Sequence, residues 1–198
     1  RRCQAVPSQK LWPDLNGSQI PFSAFPARLR LRVDAFIARI LLMNHDLDEE
    51  RRWLTDTLTR QIPLGAAMGL AIQRLDATGL VLNLPLAPNV NDKGTAFGGA
   101  MSSALILAGW SLPRLILRRE QRRADLVIGR CDLRFLAPVK SGFQAVARWP
   151  GQEAIDAFLT RLDERGKAAL EMAPEIHAGD TVAASLSARY AALNHSEG

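Results

Sequence analysis

A chain of 198 residues with 47% hydrophobic content is long enough to bury one substantial core, and its two cysteines, Cys3 and Cys131, lack the spacing of a disulfide framework or a zinc cluster, which fits a reducing, cytoplasmic setting. The formal charge of +5 is carried by residues 1–42; from residue 43 onward acidic and basic side chains balance, so the body offers no general footprint for nucleic acid. The longest apolar stretch, Ala96 to Leu117, is cut by Ser102, Ser103, Ser111, Pro113 and Arg114, short of the roughly 18 to 20 residues of a membrane span.

Residues 1–42 contain Pro7, Pro13, Pro21 and Pro26 and no sustained period, and are expected to form a poorly ordered extension. Arg28, Arg30, Arg32 and Arg39 resemble a basic targeting segment, but Asp14 and Asp34 interrupt the pattern. The folded domain is expected over 43–198, with Met43 read as a start. Asp46 followed by Glu49 resembles a capping box, and Leu47, Trp53, Leu54 and Leu58 give the apolar stripe of a helix over about 47–61 that Pro63 stops. Two strands follow, Met68 to Leu75 and Leu80 to Leu86, joined by Asp76-Ala77-Thr78-Gly79.

Phe97 to Leu112 is apolar or small on nearly every side and uncharged, so it reads as a helix that must be surrounded. Leu126 to Leu136 and Phe143 to Trp149 alternate as strands. Pro150-Gly151 opens an amphipathic helix on Ile155, Phe158, Leu159 and Leu162, which Gly166 closes. Two last strands are expected, Lys167 to Ile176 and Thr181 to Leu193, with His177 in the turn between them. Six antiparallel strands and one apolar helix define an α+β domain, a curved sheet wrapped around a long central helix. Its edges need cover, which a second copy would supply as a homodimer or a higher homo-oligomer.

The run Asn91-Asp92-Lys93-Gly94-Thr95-Ala96-Phe97-Gly98-Gly99 resembles the hotdog-fold thioesterases, most closely the putative-thioesterase family of the YiiD C-terminal type, related to the phenylacetyl-CoA-type enzymes. Ile62-Pro63-Leu64, Met68-Gly69, Ala108-Gly109-Trp110, Phe135-Leu136-Ala137-Pro138-Val139 and Ala188-Arg189-Tyr190 extend the likeness from about Trp53 to Leu193. The resemblance implies a hotdog fold and hydrolysis of an acyl thioester of coenzyme A or an acyl carrier protein, with no cofactor and no metal. It implies that Asn91 orients the attacking water, and that Thr95 and Phe97 lie against the substrate.

The residues have readings of their own. Gly98 and Gly99 begin the buried helix, where free N–H groups could stabilise an oxyanion; tight packing is the alternative. Asn91 could equally form a loop turn. Phe97 replaces the histidine of the related enzymes, and Ile106 stands where they carry an acid. The candidates are therefore Asp92 as general base or one of Ser102 and Ser103 as a water-holder; a solvated loop carboxylate and two serines bonded back to their helix are the alternatives. Arg118, Arg119, Arg122 and Arg123 could grip the phosphates of coenzyme A or merely end a helix. Because the helix acid is missing, a non-catalytic acyl-CoA-binding or sensing module competes with the hydrolase, while a dehydratase is disfavoured by the lack of histidine in this segment.

Overall fold

The computed structural model describes residues 11–13, 19–21 and 47–194 and divides into two units, 1–48 and 49–198. In the first unit β1 (Leu11–Pro13) pairs antiparallel with β2 (Gln19–Pro21). The Asp46 cap, the start at Met43, the basic residues at 28–39, Cys3, His45 and His195 lie outside the described residues.

In the second unit α1 runs from the 49–56 segment into a wider π-helical turn, Thr57–Gln61, and buries Leu54 and Leu58 completely. Pro63 does more than end this helix. With its fixed φ and missing N–H it sits at the first position of a short helix, α2 (Pro63–Ala67). Next come β3 (Ala71–Asp76) and β4 (Gly79–Leu84), paired across a turn in which the Thr78 hydroxyl and amide both bond the Asp76 carboxylate and hold its pKa below the usual value. Leu80, Leu82 and Leu84 are fully buried, as their period of two requires, and Val81 on the opposite face is buried too.

The central helix α3 spans Gly98–Arg119, seven residues beyond the expected end at Leu112. Pro113 interrupts it without ending it. The ring forfeits one backbone bond to Gly109, but burial of Leu112, Leu115, Ile116 and Leu117 against the sheet holds the last two turns in place. By length and hydropathy α3 could cross a membrane; 72% of its apolar window is buried inside the fold, as a core helix would be.

The sheet continues with β5 (Ala124–Phe135), β6 (Phe143–Arg148), β7 (Lys167–Met172), β8 (Glu175–Ala178) and β9 (Thr181–Asn194), with α4 (Gln152–Arg165) between β6 and β7. Gly166 ends α4 in the left-handed region at φ 65°, as expected. The single strand expected over Lys167 to Ile176 is two: Pro174 cannot donate to the ladder, so the chain breaks there and both pieces pair with β9. His177 accordingly lies in β8 rather than in a turn, 3.1 Å from Glu175. The strand order is β3-β4-β6-β8-β9-β5, with β7 also on β9, all antiparallel. This is the hotdog arrangement: seven strands around α3.

One contact locks α3 into the sheet. The fully buried Tyr190 of β9 donates its hydroxyl to the Ile106 carbonyl at 2.9 Å. Its ring lies so close to Gly109 that a Cβ there would come within 2.5 Å of the hydroxyl oxygen.

Candidate active site

The loop between β4 and α3 is built by two asparagines. Asn89 is buried and donates from its side-chain amide to the Met68 and Pro85 carbonyls at 2.8 and 2.7 Å, while its backbone carbonyl accepts from the Phe97 amide at 2.7 Å. Asn91 accepts from the Lys93 and Thr95 amides at 2.9 and 3.1 Å and donates to the Thr95 hydroxyl at 2.9 Å. An antiparallel bridge between Val90 and Ala96 closes the loop, and the Ala96 amide bonds Val139 at 2.7 Å. Every polar atom of the Asn91 amide group is thus engaged within its own turn, and the half-buried side chain acts by shaping the loop.

This loop delivers the chain to an uncapped helix end. Phe97 is the N-cap of α3, provides no side-chain acceptor, and no acidic residue lies in the first turn. Among the described residues the Gly98, Gly99 and Ala100 amides have no acceptor, the first intrahelical bond being Met101 N–H to the Phe97 carbonyl at 3.1 Å. Two aromatic rings stand over these amides. A Cβ on Gly98 would lie 3.3 Å from the Phe135 ring, and one on Gly99 would lie 2.3 Å from the Phe97 ring. Both rings are more than half exposed, and Val90 and Leu136 are exposed beside them in the same segments. The glycines therefore admit the aromatic rings and also leave the helix terminus open, so the packing and oxyanion readings of these positions are compatible.

Ser102 and Ser103 point their hydroxyls back to the Gly98 and Gly99 carbonyls at 2.7 and 2.9 Å. Asp92 is exposed in the loop and lies 3.1 Å from the Lys93 ammonium. No Asp or Glu occurs in α3, and Ile106 occupies the mid-helix position of the absent acid.

The arginine run is elsewhere. Arg118, Arg119 and Arg122 lie at or just beyond the opposite end of the 22-residue α3, roughly 30 Å from Gly98 at 1.5 Å per residue. Arg118 bonds Glu49 and stacks on Trp53, Arg119 grips the Glu50 carboxylate with two 2.7 Å bonds and stacks on Trp149, and Arg122 bonds Asp163 at 2.8 Å. These pairs tie α1 and α4 to α3; Arg123 is exposed and has no such pair among the described residues. The structure thus brings Asn91, Asp92, Thr95, Phe97, Gly98, Gly99, Ser102 and Ser103 together and leaves the four arginines apart from them within one chain.

Sequence reading missed Asn89 and Phe135 as site residues. Nothing in Asn89-Val90-Asn91 distinguishes the buried asparagine from the half-buried one, and Phe135 reads as an alternating strand residue within the family likeness, with no site role; its place over Gly98 depends on how β5 passes the helix.

This seven-stranded hotdog sheet closed around an apolar helix is an architecture shared with a solved protein titled a putative thioesterase. The chain belongs to the family described as "Putative thioesterase (yiiD_Cterm)", whose model matches residues 51–194. A solved protein of unknown function from Chlorobaculum tepidum TLS is 26% identical, with a TM-score of 0.71 over 75% of this chain and 97% of its own. A structure titled as a putative thioesterase from Shewanella oneidensis is 26% identical, with a TM-score of 0.66 over 74% and 99%. One from Pseudomonas aeruginosa, titled a protein of unknown function and probable thioesterase, is 25% identical, with a TM-score of 0.62 over 73% and 95%.

Proposed function

We propose that this chain is a homodimeric hydrolase that cleaves an acyl thioester of coenzyme A or of an acyl carrier protein to a free acid and a thiol. The observation that carries the reading is the open start of α3: three amides without acceptors, at the positive end of a long helix dipole, below an exposed apolar patch of Phe97, Phe135, Val90 and Leu136. An acyl chain on that patch would bring its thioester carbonyl toward the amides. Water oxygen adds to the carbonyl carbon, and the negative charge developing on the carbonyl oxygen is held by N–H donors that need no rearrangement. Collapse of the adduct breaks the C–S bond, and the thiolate takes up a proton. Asp92 is the carboxylate of this loop and is assigned the water's proton; Asn91 sets the loop that carries it.

Assembly is inferred from β5. Its 12 residues pair with β9 along one edge only, and its exposed residues include Val127, Ile128 and Phe135. A long unpaired edge that carries exposed apolar side chains is a template for a second copy.

The test is release of free thiol from a panel of acyl-CoA and acyl-carrier-protein substrates. Turnover that falls strongly in Gly99→Val, with folding intact, supports the reading. Tight binding of acyl-CoA without thiol release would favour the second reading, a non-catalytic acyl-CoA-binding module, to which the acid-free α3 and the inward-bonded Ser102 and Ser103 lend specific support.

A further inference from the structure

A cleft of about 520 Å³ opens on the face of the sheet that turns away from α3, where β7, β9 and β5 lie side by side. Ala184, Leu186, Ala188 and Tyr190 of β9 are buried on the inner face, so Ser185, Ser187 and Arg189 between them project outward. Opposed residues of an antiparallel pair share a face, and the register sets Arg134, Asp132 and Arg130 of β5 directly across from these three. On the other side of β9, Glu171 of β7 opposes Arg189. Two serines therefore floor the cleft, and three guanidinium groups and two carboxylates wall it.

Elsewhere in this domain the fold answers its arginines closely: Arg118, Arg119 and Arg122 hold carboxylates at 2.7 to 2.8 Å. Here it does not. Arg134 lies 3.6 Å from Asp132 and Arg189 lies 3.8 Å from Glu171, both beyond hydrogen-bond range, and Arg130 meets no carboxylate among the described residues. The Ser185 and Ser187 hydroxyls make no hydrogen bond among the described residues either. Three cations against two anions leave the cleft an excess of positive charge. That excess sits at Arg130 and Arg189, like charges directly opposed across a strand pair, an arrangement that destabilises a sheet by itself. An oxyanion between the two guanidinium forks reverses the sign of that interaction, and the serine hydroxyls supply donors beneath it. A carboxylate offers two oxygens in one plane. A phosphate group offers three to two arginines and a hydroxyl together, carries up to two charges, and leaves room in the cleft for an organic group attached to it.

We propose that the outer face of β5, β9 and β7 carries a binding site for a phosphate group, held between Arg130 and Arg189 above Ser187, with Arg134 and Ser185 left to meet whatever bears the phosphate. The site lies across the sheet from α3 and the glycine pair, so it stands apart from the thioester reading. Pairing of β5 with a second copy uses backbone groups at the strand edge and leaves this face open.

Calorimetry on the full-length protein at fixed ionic strength tests this, with inorganic phosphate, glycerol 3-phosphate and acetate as probes. The wild type should bind phosphate, free or as the monoester, once per chain and at least tenfold more tightly than acetate. No binding of either phosphate, or acetate bound as tightly, overturns the proposal. A monoester that binds more tightly than inorganic phosphate identifies an organic phosphate as the ligand, and the reverse order identifies the free ion. Arg130→Gln and Arg189→Gln should each weaken binding at least tenfold, while Arg161→Gln, at an exposed position of α4, leaves it unchanged. Equal losses in all three, or no loss in any, overturns the assignment of these residues. Folding is checked in chloride alone, where Arg130→Gln should melt no lower than the wild type because it removes a like-charge contact. A clearly lower midpoint would make Arg130 a stabilising residue of the sheet and overturn its role in holding a ligand.

Discussion

Tyr190 is the only tyrosine in the chain, and its hydroxyl is committed to a helix carbonyl in the core. Burial raises its pKa above the usual tyrosine range, and the nearby Cys131 charge raises it further. The folded state therefore holds this proton more tightly than the unfolded state, whose tyrosine ionises near pH 10. Its contribution to stability is complete below about pH 10 and is lost as pH rises through the folded pKa. Phenolate absorbance should accordingly appear only with unfolding; a phenolate signal near pH 10 in a folded protein would contradict this. Opposite the ring, Gly109→Ala places a methyl against a buried hydroxyl that has no room to move, and should destabilise by about 1–3 kcal/mol, read as a lowered midpoint in urea.

The loop-and-helix element at 87–99 separates shape from chemistry. Asn91→Ala deletes three hydrogen bonds, and should lower both stability and turnover, whereas Asn91→Asp keeps the Oδ1 acceptor of the Lys93 and Thr95 amides and should recover most of the stability. Asp92→Asn disturbs little packing, because Asp92 is exposed and pairs only with Lys93, so it should leave the melting temperature within a degree or so while reducing kcat about a hundredfold. An unchanged kcat in Asp92→Asn would move the base to another group, with Ser102→Ala and Ser103→Ala the next measurements.

For the assembled molecule, the β5 register makes a sharp geometric statement. In the proposed dimer, antiparallel pairing of the full length of β5 with the second copy would set Ile128 of one subunit against Cys131 of the other at a Cα separation of about 4.5–5.5 Å, inside the range a disulfide accepts. A single substitution, Ile128→Cys, with Cys3 replaced by serine, should give a covalent dimer under mild oxidation on a non-reducing gel. Persistence of monomer would refute this register. Removing residues 1–42 should leave thermal stability and thiol release unchanged, since the compact unit begins at Glu49 and the family match at residue 51.

Much of the fold was legible in the sequence because each signal was local. The all-apolar stretch after Phe97 had to be a surrounded helix, the leucines of β4 had to face a core, and Gly166 had to end α4, whatever the rest of the chain did. The glycine pair at a helix start and the surrounding loop were visible for the same reason. Continuation of α3 through Pro113 was not visible, because the lost backbone bond is outweighed by burial that only the packed sheet supplies. Nor was the commitment of Arg118, Arg119 and Arg122 to Glu49, Glu50 and Asp163, partners some 40 to 70 positions away in the chain. Asn89 and Phe135 became site residues only when β4, β5 and the start of α3 met in space. Local pattern determines which elements form; which side chains share a site is decided by contacts between elements, and those are set by packing rather than by spacing along the chain.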